Sequence, residues 1–297
     1  MADRVFHIVD VFAEERYSGN QLAVFLDGHL YTDALMQQLA KEMNFSETTF
    51  IFPQESRDGQ YRVRIFTPAE ELPFAGHPTL GTAFIIAQVL IGTPVAEVRL
   101  DLPAGRVPVA LARDPAGAIT RLTMTQLQPT FGPTVAPAIL APVLGLVPED
   151  MDARYPIQEV STGLPFLIVP LKRLATMRAL RLDARQLGGV LQPLAAKAVL
   201  VYCPETYHPA NQLNVRVFVP FSGIPEDPAT GSANGCLTAY LLHHNYLGRP
   251  TVDIRVEQGI EIGRPSILYL RGQLAAGHFQ IEVGGNVQHI AVGRLVE

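Results

Sequence analysis

The stretch "ELPFAGHPTLGTAF" (71–84) reads as a turn that opens a helix, with Pro78 at the first helical position and His77 before it as the cap. A second stretch, "PEDPATGSANGCL" (225–237), has the same shape. Each shows a polar residue, a proline, two residues, and then Gly-Thr-Ala or Gly-Ser-Ala. His77 leads one copy and Asp227 leads the other. A helix start written twice suggests a duplicated unit.

The surrounding sequence supports duplication. "YRVRIFTP" (61–68) matches "LNVRVFVP" (213–220) at an offset of 215 − 63 = 152. The motif pair follows at 227 − 77 = 150. "EVRLDLPAGRVPV" (97–109) pairs with "DIRVEQGIEIGRP" (253–265) at 259 − 105 = 154. "YSGNQLAVF" (17–25) has a counterpart in "STGLPFLIV" (161–169). Four blocks in one order make two copies of a single domain. The reading is an N-terminal domain over 1–120 and a C-terminal domain over 121–297. The join falls near 115–135, where "RDPAGA" and "QPTFGP" supply turn residues. The last strand, near 288–297, is placed to return to the first domain.

Within each copy, short β-rich runs surround one strong helix. "FHIVDVF", "QLAVFL", "TTFIFP", "AEVRLDL" and "GRVPVALA" are strand-like, with turn signals between them. "TDALMQQLAKEMN" (32–44) is an amphipathic helix with Leu35, Leu39 and Met43 on one stripe and Thr32 or Asp33 as cap. "TLGTAFIIAQVLIG" and "NGCLTAYLLHHNYLG" are apolar on nearly every side, which marks buried helices. The fold class is therefore α+β: two pseudo-symmetric domains, each an antiparallel sheet curled around a central helix.

Bulk composition excludes several function classes. The 297 residues are 48% apolar and 17% charged, enough for a sizeable core, and the net charge is −5. No basic run with interleaved aromatics points to nucleic acid. The N-terminal "MADRVFHIVD" is not a leader peptide, and "AFIIAQVLIG" is too short to span a bilayer. Cys203 and Cys236 form no CxxC pair, and the eight histidines form no HxxxH or HExxH pattern. The expectation is a cytoplasmic protein with reduced thiols, no metal and no membrane or nucleic-acid partner.

The candidate chemistry lies at the helix starts. The first helical turn leaves N–H groups free, and these attract carboxylates or phosphates. The small residues at Gly81 and Gly231 let the backbone approach a ligand or the opposite helix closely. In a two-fold arrangement, His77 and Asp227 would meet a small anionic substrate from opposite sides of a domain cleft. A third element is "NFSETTFIF" (44–52). Glu47 sits between a helix and an apolar strand, where shielding can raise a carboxyl pKa toward neutrality and fit it for general acid–base work.

"MNFSETTFIF", "FTPAEELPFAGHPTLGTA", "EDPATGSANG" and "EQGIEIGRPS" closely resemble the PhzF family of phenazine-biosynthesis-like isomerases, in order from about residue 5 to the C-terminus. The resemblance implies a diaminopimelate epimerase-like fold, a homodimer, and no metal or organic cofactor. The family's best-understood activity is isomerisation of trans-2,3-dihydro-3-hydroxyanthranilate, in which a proton leaves C3 and returns at C1. By resemblance Glu47 is the proton shuttle and His77 and Asp227 contact substrate. Ser46, Gly76, Gly231 and Ser232 would line the pocket that receives its carboxylate. Racemases of this fold use a cysteine at each helix start, and this chain has none there. Another proton-transfer activity on the scaffold and a non-catalytic metabolite-binding protein stand as the alternatives.

Overall fold

The computed structural model describes residues 4–57, 60–219 and 224–296, with the side chains of 55–57 and 224 left out. The first three residues of the N-terminal stretch and Pro220, which ends the second copy of a repeat block, lie outside the described residues. The chain divides into two units, 1–125 with 284–297, and 126–283. The dividing stretch is not a linker. Residues 114–118 form a hairpin turn, and strands lie on both sides of 126–129.

The first unit contains β1 (Val5–Val11), β2 (Asn20–Phe25), α1 (Asp33–Met43), β3 (Glu47–Arg57), β4 (Gln60–Phe66), β5 (Glu71–Leu72), α2 (Gly76–Ile85), β6 (Glu97–Leu102), β7 (Gly105–Arg113) and β8 (Ile119–Thr125). The second contains β9 (Thr130–Val135), α3 (Pro137–Leu140), β10 (Ile157–Ser161), β11 (Pro165–Pro170), α4 (Leu174–Ala179), α5 (Ala184–Leu191), β12 (Val199–Cys203), β13 (Leu213–Val219), β14 (Ile224–Asp227), α6 (Gly231–His243), β15 (Thr251–Gln258), β16 (Ser266–Ala275) and β17 (His278–Gly285). The final strand, β18 (Val287–Arg294), rejoins the first unit, antiparallel to β1 with Val5 opposite Arg294.

The sheets are mixed rather than antiparallel. In the first unit, β2 runs parallel to β3 and β4 parallel to β6, while β1–β2, β3–β4, β6–β7 and β7–β8 are antiparallel. The second repeats the pattern: β11–β12 and β13–β15 are parallel, and β9–β10, β10–β11, β12–β13 and β15–β16 antiparallel. The reason lies in the connections. Parallel neighbours need a long crossover, and the helices supply it. α1 joins β2 to β3, α2 joins β4 to β6, α4 and α5 join β11 to β12, and α6 joins β13 to β15.

The two apolar helices are buried as their composition requires. Every residue of α2 is buried, and it packs against β1, β2, β3, β6, β7, β8 and β18. Beyond Ile85 the helix widens into a π turn over Ile86–Ile91, where Gln88 and Val89 reach solvent. In α6 all residues from Gly231 to Leu242 are buried, against β10, β11, β15 and β16. α1 lies on the other face of its sheet. There Met36, Leu39 and Ala40 pack on an aromatic cluster of Phe25, Tyr31, Phe50 and Phe66, with Leu35 and Met43 partly buried beside them.

Candidate active site

Glu47 owes its place to how α1 ends. Thr32 caps the start of α1 by accepting from Leu35 N–H, and Asn44, left-handed at φ 53°, ends it. The chain turns through Phe45 and Ser46 and enters β3 at Glu47, beside Leu22 of parallel β2. Two residues on, Thr49 and Thr82 share a buried 2.8 Å hydroxyl–hydroxyl bond that pins β3 to α2. Glu47 and the first turn of α2 are thereby held in register.

His77 is the second residue of α2 and is 4% exposed. Its Nε2 lies 3.5 Å from Glu47 Oε2, and Glu47 is 16% exposed. Its Nδ1 lies 3.3 Å from the amide nitrogen of Asn20, the buried first residue of β2. Burial drives the His77 pKa down to about 3, against the opposing pull of a hydrogen bond with the Gln21 backbone. The imidazole is therefore neutral near pH 7 and carries one proton. Such a ring donates to a carboxylate or accepts from a carboxyl, so it suits a neighbour that alternates between the two.

The second unit holds Asp227 at the end of β14, 6% exposed. Thr230 Oγ1 donates to its Oδ2. Gln258, fully buried at the end of β15, donates from Nε2 to the Asp227 carbonyl at 2.8 Å. Gly259 follows at φ 76°, and an added Cβ there would come within 2.5 Å of the Pro228 carbonyl. The β15 turn therefore lies directly on the Asp227–Pro228 backbone. Gly231 and Ser232 are the first two residues of α6, both buried.

The helix starts differ from the sequence reading. Ala75 caps α2, not His77, and Thr230 caps α6, not Asp227. Proline lacks an N–H, and none of the first-turn donors has an intrahelical partner, so Pro78 fits at the third position as well as the first. Asp227 stays extended at the end of its strand, as the position before a proline favours, whereas His77, also before a proline, is helical. The helices begin 231 − 76 = 155 residues apart, so His77 corresponds by helix position to Ser232, not to Asp227. Gly81 also has a different neighbour from the one expected. A Cβ there would meet Leu22 and Val11 at 2.6 and 2.8 Å, so its smallness lets α2 settle onto its own sheet.

Glu47, His77, Ser46 and Gly76 thus gather in the first unit. Asp227, Gly231 and Ser232 gather in the second. Asn20, Thr230 and Gln258 were missed by sequence reasoning. Asn20 lay in plain view inside a repeat block, after the turn residues of "YSGNQ", and Gln258 inside "EQGIEIGRPS". Both thiols are buried, with pKa values pushed up by burial to about 12 for Cys203 and about 11 for Cys236. Neither is a thiolate at neutral pH. Among the described residues, no group of three or more His, Cys, Asp or Glu is placed to hold a metal ion, and no helix is long and apolar enough to cross a membrane.

Paired mixed-sheet units, each with a buried helix, define an α+β fold of the diaminopimelate epimerase type. The family model for phenazine biosynthesis-like proteins matches residues 9–292, and the chain belongs to that family. It is 38% identical to the trans-2,3-dihydro-3-hydroxyanthranilate isomerase of Pseudomonas aeruginosa, over 97% of each chain. It superposes on the crystal structure of a PhzF-family phenazine biosynthesis protein from Bacillus anthracis with a TM-score of 0.90 and 26% identity, covering 100% of both chains. A solved predicted epimerase from Pseudomonas aeruginosa gives 0.82 and 32%, covering 99% of both. The protein is an isomerase.

Proposed function

We propose that this isomerase moves a proton within a small cyclic carboxylate such as trans-2,3-dihydro-3-hydroxyanthranilate, with Glu47 as the shuttle. The observation that carries the reading is the 3.5 Å approach of Glu47 to a neutral, buried His77. Ionised Glu47 takes the proton from C3, the double bonds shift along the ring, and the protonated carboxyl returns it at C1. One C–H bond breaks and one forms, so the change is redox-neutral and calls for no hydride or electron acceptor. A single carboxyl that keeps the proton between the two steps serves as both base and acid. His77 stabilises whichever form Glu47 takes. The candidates to hold the substrate carboxylate are the first-turn N–H groups of α2, with Ser46 and Gly76 beside them, and in the second unit those of α6, with Gly231 and Ser232; Asp227 is the candidate for a polar substituent of the ring. The reading includes a cytoplasmic homodimer with a small anionic metabolite as its partner, as the family resemblance implies.

The test is proton NMR with trans-2,3-dihydro-3-hydroxyanthranilate in D2O. The C3 proton should disappear and deuterium should enter at C1. Glu47→Gln, nearly the same size, should bind the compound but turn it over about 10²–10⁴-fold more slowly. Near-normal turnover by that variant would sink the assignment of Glu47. No turnover by the parent protein, with binding retained, would sink the substrate.

A further inference from the structure

Gln258 makes four hydrogen bonds at the start of α6. Nε2 donates to the Asp227 carbonyl at 2.8 Å and to Thr230 Oγ1 at 3.1 Å. Oε1 accepts from Thr230 N–H at 3.3 Å and from Asn234 Nδ2 at 3.0 Å. A primary amide has two donor hydrogens and two acceptor lone pairs, so this one is fully used. Its orientation is fixed as well. Flipping it would set oxygen against the Asp227 carbonyl and nitrogen against two N–H donors. Asn234 is locked in turn by donating to the Thr230 carbonyl at 3.0 Å.

The consequence passes through one proton. A threonine hydroxyl has a single hydrogen to give. Gln258 occupies the Thr230 oxygen as a donor, so the Thr230 hydrogen must go to an acceptor, and Asp227 Oδ2 receives it. We propose that Gln258 is a positioning residue for the isomerase: it turns the Thr230 hydroxyl onto the Asp227 carboxylate and fixes the direction in which that carboxylate faces the substrate. This goes beyond the assignment of Asp227 to substrate contact and rests on it. Gln258 itself is fully buried and acts only through Thr230 and the Asp227 backbone.

The test needs no substrate. The Asp227 side-chain 13C resonance is titrated in the parent protein, Gln258→Met, Thr230→Val and the double variant. A hydrogen bond to the ionised carboxylate favours that form. Each single substitution should therefore move the Asp227 midpoint upward, by roughly half a unit to one unit. The double should move it no further than Thr230→Val alone, because both act through one hydroxyl. A midpoint unmoved in Gln258→Met while Thr230→Val shifts it would overturn the proposal. So would a double variant showing the sum of two independent shifts. If Gln258→Met fails to fold, Gln258→Glu replaces it. That carboxylate can only accept, so the Thr230 hydrogen turns away from Asp227. Adding Thr230→Val to that background should then raise the midpoint by less than it raises that of the parent, and an equal rise in both backgrounds overturns the idea. Turnover measured alongside separates the two readings. Coupled titrations with no isomerisation of trans-2,3-dihydro-3-hydroxyanthranilate leave Gln258 in its role and reject only that substrate.

Discussion

His77 shows how a single residue's surroundings set its chemistry. Burial drives its pKa to about 3 from an ordinary 6.5. Above pH 6.5 the ring is neutral in folded and unfolded chains alike and contributes no pH dependence. As pH falls through 6.5, the unfolded chain takes up a proton that native His77 refuses until about pH 3. Stability is therefore lost on acidification across that window. Burial lowers His7, His244 and His289 in the same direction. Melting temperature should fall between pH 6.5 and 4, and the fall should be shallower in His77→Gln. An unchanged slope would place the acid-sensitive proton elsewhere. NMR should show no titration of the His77 ring between pH 5 and 8.

At the scale of elements, two glycines make close approach possible, for different reasons. Gly81 lets α2 lie against Val9, Val11 and Leu22, whose side-chain ends can shift a little. Gly81→Ala should cost about 1–3 kcal/mol by overpacking. Gly259 faces fixed backbone, with a Cβ at 2.4 Å from the Arg264 carbonyl and 2.5 Å from that of Pro228, and it holds φ 76°. Gly259→Ala combines overlap with left-handed strain of about 1–3 kcal/mol and should cost more than Gly81→Ala. Denaturant melts of the two variants check the order. If Asp227 holds substrate as proposed, the Gly259 variant should also weaken substrate binding, because Pro228 adjoins it, whereas Gly81→Ala should act on stability alone.

Elements also show what the sequence could and could not say. The strands were legible as short β-rich runs bounded by turn signals, and the two central helices because they are apolar all round. Strand direction was not legible from either pattern. It follows from which connections carry a crossover helix, and the reading placed α2 and α6 at the centre without treating them as crossovers. The caps were misread because proline is compatible with any position of a first turn. Glu47 and His77 could be singled out by type and setting. Asn20, Thr230 and Gln258 could not, since uncharged polar residues acquire a role only when burial removes their water.

At the scale of the molecule, the return of the last strand is the main organising fact. β18 covers the edge of β1, and Asn286 accepts a bond from Ala13 N–H before it begins. A chain ending at Asn286 would leave β1 as an open edge, which is a template for aggregation. It should melt lower and elute partly as aggregates in size-exclusion chromatography. The second unit, continuous from 126 to 283, should be affected less, and limited proteolysis would show its fragments surviving longer.

The same return has a consequence for synthesis. A ribosome releases the chain from its N-terminus, and domains usually close in that order. Here the unit that begins first cannot finish first. Its edge strand, Val287–Arg294, is made only after the whole of the second unit, which already has its strands in hand. Translation and assembly therefore run out of step, and the half that carries Glu47 and His77 stays incomplete until the strand after the second unit has emerged.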